Sequence, residues 1–190
     1  MKSGLMLGVN SNAIRQNEDF YATDPKALEL FLDKFEKDGE KLNHFVWECS
    51  CGQGHLSKVL EGRGYQVLST DLIDRGYGIV SDFLKWDINA PRGDILTNPP
   101  FKLAEKFVEM GMEKLKDENK LFLFLKIQFL EGQKRKELFK KYPPKYVYVN
   151  SSRQLCAKDG EFEKYTSTTQ CYAWYIWEKG FTGETIIRWI

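Results

Sequence analysis

The stretch HFVWECSCGQGHLSKVLEGRGYQVLSTDL, His44 to Leu72, alternates a short apolar run, a glycine turn, a helical stretch and a second apolar run ending in Asp71. That succession reads as strand, turn, helix, strand, the unit from which parallel α/β sheets are built. Within it, ECSCGQG (Glu48 to Gly54) places two glycines directly after the strand and at the opening of the helix. Glycines at such a junction let a ligand come close to the backbone, and the helix start offers unpaired N–H groups. The carboxylate of Glu48 would repel a phosphate there but suits a cationic or hydroxyl-bearing ligand. Asp71, seventeen residues beyond Gly54, ends the second strand, where an acid can accept from both ribose hydroxyls of a nucleoside. A tight turn with a solvated acid at a strand end would leave the same trace, so both readings stand at this point.

Outward from this unit, the pattern continues. TDPKALELFLDKFEKDGEK supplies a cap at Thr23 or Asp24, Pro25 for the first helical turn, and Leu28, Phe31, Leu32 and Phe35 at helical spacing, which predicts an amphipathic helix. Downstream, a third strand is expected around Tyr77 to Ser81, a fourth at Asp94 to Thr97, then a helix over LAEKFVEMGMEKLKD. LFLFLK follows as a fifth strand whose unbroken apolarity suits burial on both faces. EGQKRKELFKKY reads as helix, KYVYVN as extended, and CYAWYIWE as a strand whose aromatics belong to the core. Between the last two lies SSRQLCAKDGEFEKYTSTTQ, a polar insert long enough to suggest a use. The expected architecture is one α/β domain over residues 20–190, with a mainly parallel sheet of about seven strands and an antiparallel C-terminal pair. Residues 1–19 read as a mobile arm.

Composition narrows the function classes. A formal net charge of +1 gives the whole molecule no field that would draw it to nucleic acid or anionic lipid, so a polyanion site must be local. The four cysteines (Cys49, Cys51, Cys156, Cys171) and two histidines (His44, His55) do not fall at zinc-finger spacing, and no metal is expected. No apolar run reaches the length of a membrane span and the N-terminus lacks a signal-peptide core. A cytoplasmic protein with free thiols is the expectation, Cys49 and Cys51 being packing residues rather than nucleophiles.

The second informative stretch is DILTNPPFK, Asp94 to Lys102. Each proline fixes its own φ and pushes the residue before it out of the helical region. Asn98 and Pro99 are therefore held extended at the C-terminal edge of the fourth strand, where open α/β sheets bind ligands. The Asn98 side-chain oxygen and the Pro99 carbonyl can point together into that crevice as two fixed acceptors for one NH2 group. Holding both hydrogens of an exocyclic amine lets its nitrogen move toward tetrahedral and frees the lone pair for in-line attack. Phe101 adds a face for a base to stack on. Ser57 stands where a dinucleotide fingerprint has its third glycine, which disfavours NAD. S-adenosylmethionine carries a nucleoside, an amino acid and a sulfonium without phosphate, and fits the glycine turn better.

Glu48, Gly52 and Gly54, then Asp71, then Ser81-Asp82-Phe83-Leu84, and finally Asn98-Pro99-Pro100-Phe101 resemble motifs I to IV of the class I amino-methyltransferases acting on adenine N6. Phe20-Tyr21-Ala22-Thr23-Asp24-Pro25 resembles their motif X, and CYAWYIWEKGF with the ending IIRWI is similar to small phage and prophage adenine-specific DNA methyltransferases. The resemblance covers residues 20–190 and implies a Rossmann-like methyltransferase fold with S-adenosylmethionine as cofactor. It implies that Glu48, Gly52 and Gly54 hold the methionine end of the cofactor and Asp71 the ribose. Asp82 would accept from the cofactor's adenine amine, with Phe83 lending its backbone N–H. Thr23 would stand near the carboxylate, and Tyr21, Ser50, Leu72 and Asn98 complete the cofactor set. Asn98, Pro99, Pro100 and Phe101 would form the catalytic group, Phe101 facing the target. Cys49 stands where these proteins often have proline, and Asp24 interrupts motif X.

A target base in a duplex must be flipped out to reach such a crevice, or the substrate must be single-stranded. The insert, with Arg153, Lys158, Phe162, Lys164 and Tyr165, lies where the family places a loop beside the target base, and is expected to contact nucleic acid, with Arg153, Lys158, Phe162 and Tyr165 as substrate contacts. Glu131 to Lys145 carries six basic and two acidic residues, a local charge of +4, which suits either phosphate contact or a solvated helix face. The chain has no evident separate recognition domain, so specificity would be loose or come from a homodimer or another partner. DNA is the preferred substrate on this reading. RNA, a protein glutamine amide and a non-catalytic partner subunit are the alternatives.

Overall fold

A computed structural model describes residues 21–85, 93–158, 160, 162–164 and 168–190. The expected N-terminal arm and Tyr165 lie outside the described residues. In chain order the elements are β1 (Tyr21–Thr23), α1 (Pro25–Lys37), β2 (Phe45–Glu48), α2 (His55–Gly62), β3 (Gln66–Asp71), β4 (Ile79–Val80), β5 (Asp94–Thr97), α3 (Ala104–Lys114) and β6 (Lys120–Lys126). They continue with α4 (Gln133–Lys141), β7 (Tyr146–Val149), β8 (Cys156–Lys158), β9 (Tyr172–Glu178) and β10 (Ile186–Trp189).

Eight strands form one sheet in the order β10-β7-β9-β6-β5-β2-β3-β4. β2 pairs parallel with β3 and β5, and β5 with β6. β9 runs antiparallel to both β6 and β7, so a single reversed strand produces the expected antiparallel C-terminal pairing. The strand order turns back between β2 and β5, and the crevice that opens there is where doubly wound sheets bind ligands.

β6 shows how the sequence makes the layers. Its run LFLFL sends Leu121, Leu123 and Leu125 to one face and Phe122 and Phe124 to the other, all at most 1 % exposed. On the first face they meet Phe107 and Val108 of α3, and Tyr175 and Trp177 of β9. On the second they meet Leu28, Phe31 and Phe35 of α1, and Trp174 of β9. Phe31 stacks on Trp174 at 4.9 Å between centroids. The aromatics of the last long strand are thus core, as their pattern implied. Asp24, not Thr23, caps α1, its carboxylate accepting from the Lys26 N–H at 2.9 Å with Pro25 in the first turn.

Three features differ from the sequence expectation. The third strand is only Ile79–Val80. IIRW forms an edge strand parallel to β7, held by Arg188, whose guanidinium donates to Tyr148 Oη (2.7 Å) and pairs with Asp38 (3.0 Å). The polar insert is not merely a loop: its residues 156–158 pair antiparallel with β1, Thr23 opposite Cys156 and Tyr21 opposite Lys158. No helix among the described residues is long and apolar enough to cross a membrane.

Candidate active site

The glycine turn sits at the C-terminal end of β2 and is tied to its neighbour β3. Cys51 N–H donates to the Thr70 carbonyl (2.9 Å) and Gly52 N–H to the Asp71 carboxylate (2.8 Å). The other oxygen of Asp71 accepts from Ile73 N–H at 3.0 Å. Asp71 therefore braces the glycine turn through Gly52 and folds its own following segment through Ile73, and each carboxylate oxygen keeps a lone pair for a hydroxyl. Gly52 and Gly54 both adopt positive φ (54° and 78°), which only glycine does without strain.

What comes close to Gly54 is a side chain of the protein itself. A Cβ on Gly54 would lie 2.4 Å from the Tyr77 ring. Tyr77 is held there by its hydroxyl on Glu61 (2.9 Å) and by Lys58 above its ring at 5.0 Å. Its flanking glycines, Gly76 and Gly78, also have positive φ. The motif RGYG, a tyrosine between two glycines, is the sequence signal for Tyr77.

Glu48 is 2 % exposed and accepts a hydrogen bond from Ser57, which is also 2.6 Å from Ser69 Oγ. Burial pushes its carboxyl up to about 8, outweighing the Ser57 hydrogen bond that lowers it. An acid so desolvated binds a proton unless a cation arrives. Ser57, noted above only as a missing glycine, is the donor that this acid needs. Burial also pushes the thiol of Cys51 up to about 12 and raises that of Cys49, so both stay protonated and inert, as their packing role requires. Ser50 lies beside them and is partly exposed, while Leu72, following Asp71, is exposed.

Asp82 caps a short helical turn, accepting from Leu84 N–H at 3.0 Å. The Phe83 ring goes into the core, stacking on Phe107 at 4.8 Å and meeting Trp47 edge-on at 5.2 Å. Only the backbone of Phe83 is left to face a ligand.

Asn98 extends β5 by one residue, on the α1 face of the sheet. Its amide nitrogen donates to Thr23 Oγ1 at 2.8 Å and to the Tyr21 carbonyl at 3.3 Å. A carbonyl can only accept, so the NH2 must face β1 and the amide oxygen must face away. That oxygen, Asn98 Oδ1, is buried and has no hydrogen-bond partner among the described residues. Next to it the Pro100 carbonyl is taken by Leu103 N–H (2.8 Å), whereas the Pro99 carbonyl accepts none among the described residues. Phe101 is partly exposed, 6.0 Å from Tyr172, with Lys126 Nζ 5.1 Å from its centroid. The structure thus brings together Tyr21, Thr23, Asn98 and Phe101, and gives the Thr23 hydroxyl a partner in Asn98.

The insert folds back over the glycine turn. Phe162 meets His55, the first residue of α2, edge-on at 5.4 Å, and a Cβ on Gly160 would touch the Gln53 side chain at 2.6 Å. Arg153 donates to the Thr169 carbonyl (2.9 Å) and to Cys171, joining the two ends of the insert. Of the expected substrate contacts, then, Arg153 is engaged within the insert and Phe162 stands at the glycine turn. Lys158 takes part through its backbone in the pairing with Tyr21.

No protein-family model and no curated protein sequence matches the chain. Solved structures do. A "putative RNA methyltransferase" of Pyrococcus horikoshii superposes with a TM-score of 0.58 at 13 % identity, over 82 % of this chain and 84 % of that one. A SAM-dependent O-methyltransferase of Thermotoga maritima gives 0.52 at 13 %, over 84 % and 66 %. The type IIG restriction endonuclease BpuSI gives 0.62 at 12 %, over 91 % of this chain. The fold is that of the class I methyltransferases. The chain spans 27 % of the endonuclease. Methyltransferase-fold neighbours so distant in sequence define the architecture, and the site must speak for the chemistry.

Proposed function

We propose that this protein transfers a methyl group from S-adenosylmethionine to the exocyclic N6 amine of adenine in DNA, the target base being flipped out or single-stranded. One observation carries the reading: Asn98 Oδ1 is a buried acceptor with no donor among the described residues, oriented by an amide nitrogen already committed to Thr23 and Tyr21. A buried acceptor left unpaired costs about 1–3 kcal/mol, a cost that an incoming N–H group removes.

The residues at the strand ends fit the cofactor. Glu48 is a buried acid suited to an ammonium, Asp71 retains acceptor capacity for ribose, and the turn between them presents backbone without side chains. The cofactor supplies an electrophilic methyl on a sulfonium. Asn98 Oδ1 and the Pro99 carbonyl accept the two amine hydrogens and draw the nitrogen away from conjugation with the ring. Phe101 takes the base by its face, a contact worth roughly 1–3 kcal/mol. Forming the N–C bond would break the methyl–sulfur bond and leave a neutral thioether; the positive charge then passes to the amine, whose proton becomes acidic and leaves to solvent, so the chain needs no strong base at this position. Pro99 and Pro100 keep the acceptors from relaxing toward each other or toward the helix that follows.

RNA adenine would use the same crevice, and the restriction-system and RNA methyltransferase neighbours leave both polymers in view. A protein glutamine amide presents the same delocalised NH2, though without a ring for Phe101. Labelled cofactor offered separately with DNA, RNA and protein separates these substrates. Label in DNA is the expected result; label only in RNA or protein replaces the substrate, and none in any favours a non-catalytic subunit. Asn98→Ala should abolish transfer while leaving cofactor affinity nearly intact.

A further inference from the structure

Lys126 closes β6 on the side where Phe122 and Phe124 pack, since residues two apart share a face. It therefore reaches the same crevice as Asn98. Its Nζ stands 5.1 Å from the Phe101 centroid, and Tyr172 lies opposite it in the β6–β9 register. Lys126 is partly buried, and no carboxylate pairs with it among the described residues. Other partly buried lysines are provided for: Lys34 pairs with Asp38, while Lys120 and Lys145 share Glu178. Asp24, the acid at the start of α1, has its carboxylate on the Lys26 N–H. The Lys126 ammonium thus stands beside an aromatic ring without the carboxylate that Lys34, Lys120 and Lys145 have.

We propose that Lys126 is the anion-contacting residue of the target crevice, and that it holds a phosphate adjoining the nucleoside whose base reaches Asn98. This rests on the reading of the substrate as a nucleic acid. A base stacking on Phe101 takes over the ring face near which the ammonium now stands. Base and phosphate are joined through one sugar, so the displaced ammonium has a phosphate within the reach of a flexible side chain. A lysine reaches such a phosphate as a point charge on a flexible four-carbon stem. Lys126 would then separate nucleotides from amide or hydroxyl substrates that carry no such charge.

The test compares the wild-type protein with Lys126→Met and Lys126→Arg on single-stranded oligodeoxynucleotides holding one adenine. Each is offered with ordinary linkages or with uncharged methylphosphonates flanking that adenine. Lys126→Met should raise KM about tenfold, the scale of one charge-assisted contact, with kcat nearly kept, unchanged cofactor affinity, and partial recovery in Lys126→Arg. The wild type should lose a similar factor on the uncharged linkage, and Lys126→Met should lose little more. An unchanged KM in Lys126→Met, or a wild type indifferent to the uncharged linkage, overturns the assignment; the latter needs no variant to fold. Transfer by the wild type to protein alone removes the proposed function and this inference together. Transfer to nucleic acid without phosphate dependence removes this inference only.

Discussion

The Asn98 amide nitrogen lies 2.8 Å from Thr23 Oγ1, and this contact decides which end of the amide faces the crevice. Thr23 comes from a three-residue strand that pairs with Cys156 of the insert. The orientation of the candidate catalytic group is thus fixed by elements remote from it in sequence.

Thr23→Val should lower kcat by about 10- to 100-fold, the range expected when a reacting geometry slips, with the cofactor Kd changed little. Thr23→Ser, which restores the donor's partner, should recover most of the loss. Steady-state kinetics with cofactor titration decides between the two roles of Thr23: a cofactor contact predicts the opposite split, weakened binding with kcat retained.

Glu48 gives a pH signature. Its folded carboxyl is pushed up to about 8 from an ordinary value of 4.5, so the folded protein holds a proton that the unfolded chain releases. The associated stability is fully present below pH 4.5 and is lost as pH rises through 8, at up to about 1.4 kcal/mol per pH unit. Glu48→Gln cannot titrate. The wild-type unfolding free energy minus that of Glu48→Gln should therefore fall between pH 5 and pH 8 in denaturant titrations, other groups cancelling in the difference. Parallel curves would show a carboxylate ionised throughout. On the proposed function, Glu48→Gln also weakens the cofactor, and binding to the wild type below pH 8 releases a proton, visible by calorimetry in buffers of different ionisation heat.

Gly54 and Tyr77 should behave as one unit. Gly54→Ala adds a Cβ 2.4 Å from the Tyr77 ring at a φ of 78°, so strain and overpacking together should cost roughly 2–4 kcal/mol. In a Tyr77→Ala background only the backbone strain of about 1 kcal/mol should remain. A double-mutant cycle by thermal or chemical unfolding measures the difference. Additive effects would mean that the ring simply swings aside.

These pairs mark the boundary of what the sequence discloses. The glycine turn, the acid of Asp71 and the proline-held Asn98 are legible because the chemistry lies in contiguous residues whose backbone preferences are local. β6 is legible because five apolar residues in a row have few other uses. β10 is not: Ile186, Ile187 and Trp189 stay exposed on a sheet edge, so IIRW carries no burial pattern, and its partner β7 lies across an intervening strand's worth of sequence. The β1–β8 pair joins three-residue strands from opposite ends of the chain, too short to show periodicity. The Glu48, Ser57 and Ser69 cluster and the docking of Phe162 on His55 exist only once separate elements have packed.

Phe162 was expected at the target base, yet its ring meets His55 edge-on at 5.4 Å, beside the glycine turn. On the proposed function, its removal should therefore act first on the cofactor. An edge-to-face aromatic pair contributes about 0.5–1.5 kcal/mol, so Phe162→Ala should weaken the cofactor about 2- to 12-fold, chiefly through faster dissociation. The KM for nucleic acid at saturating cofactor should move less. Stopped-flow dissociation of the cofactor, set beside steady-state KM values, makes the comparison. A raised nucleic-acid KM with an unchanged dissociation rate would return Phe162 to the target side and leave the insert's contact with α2 as packing alone.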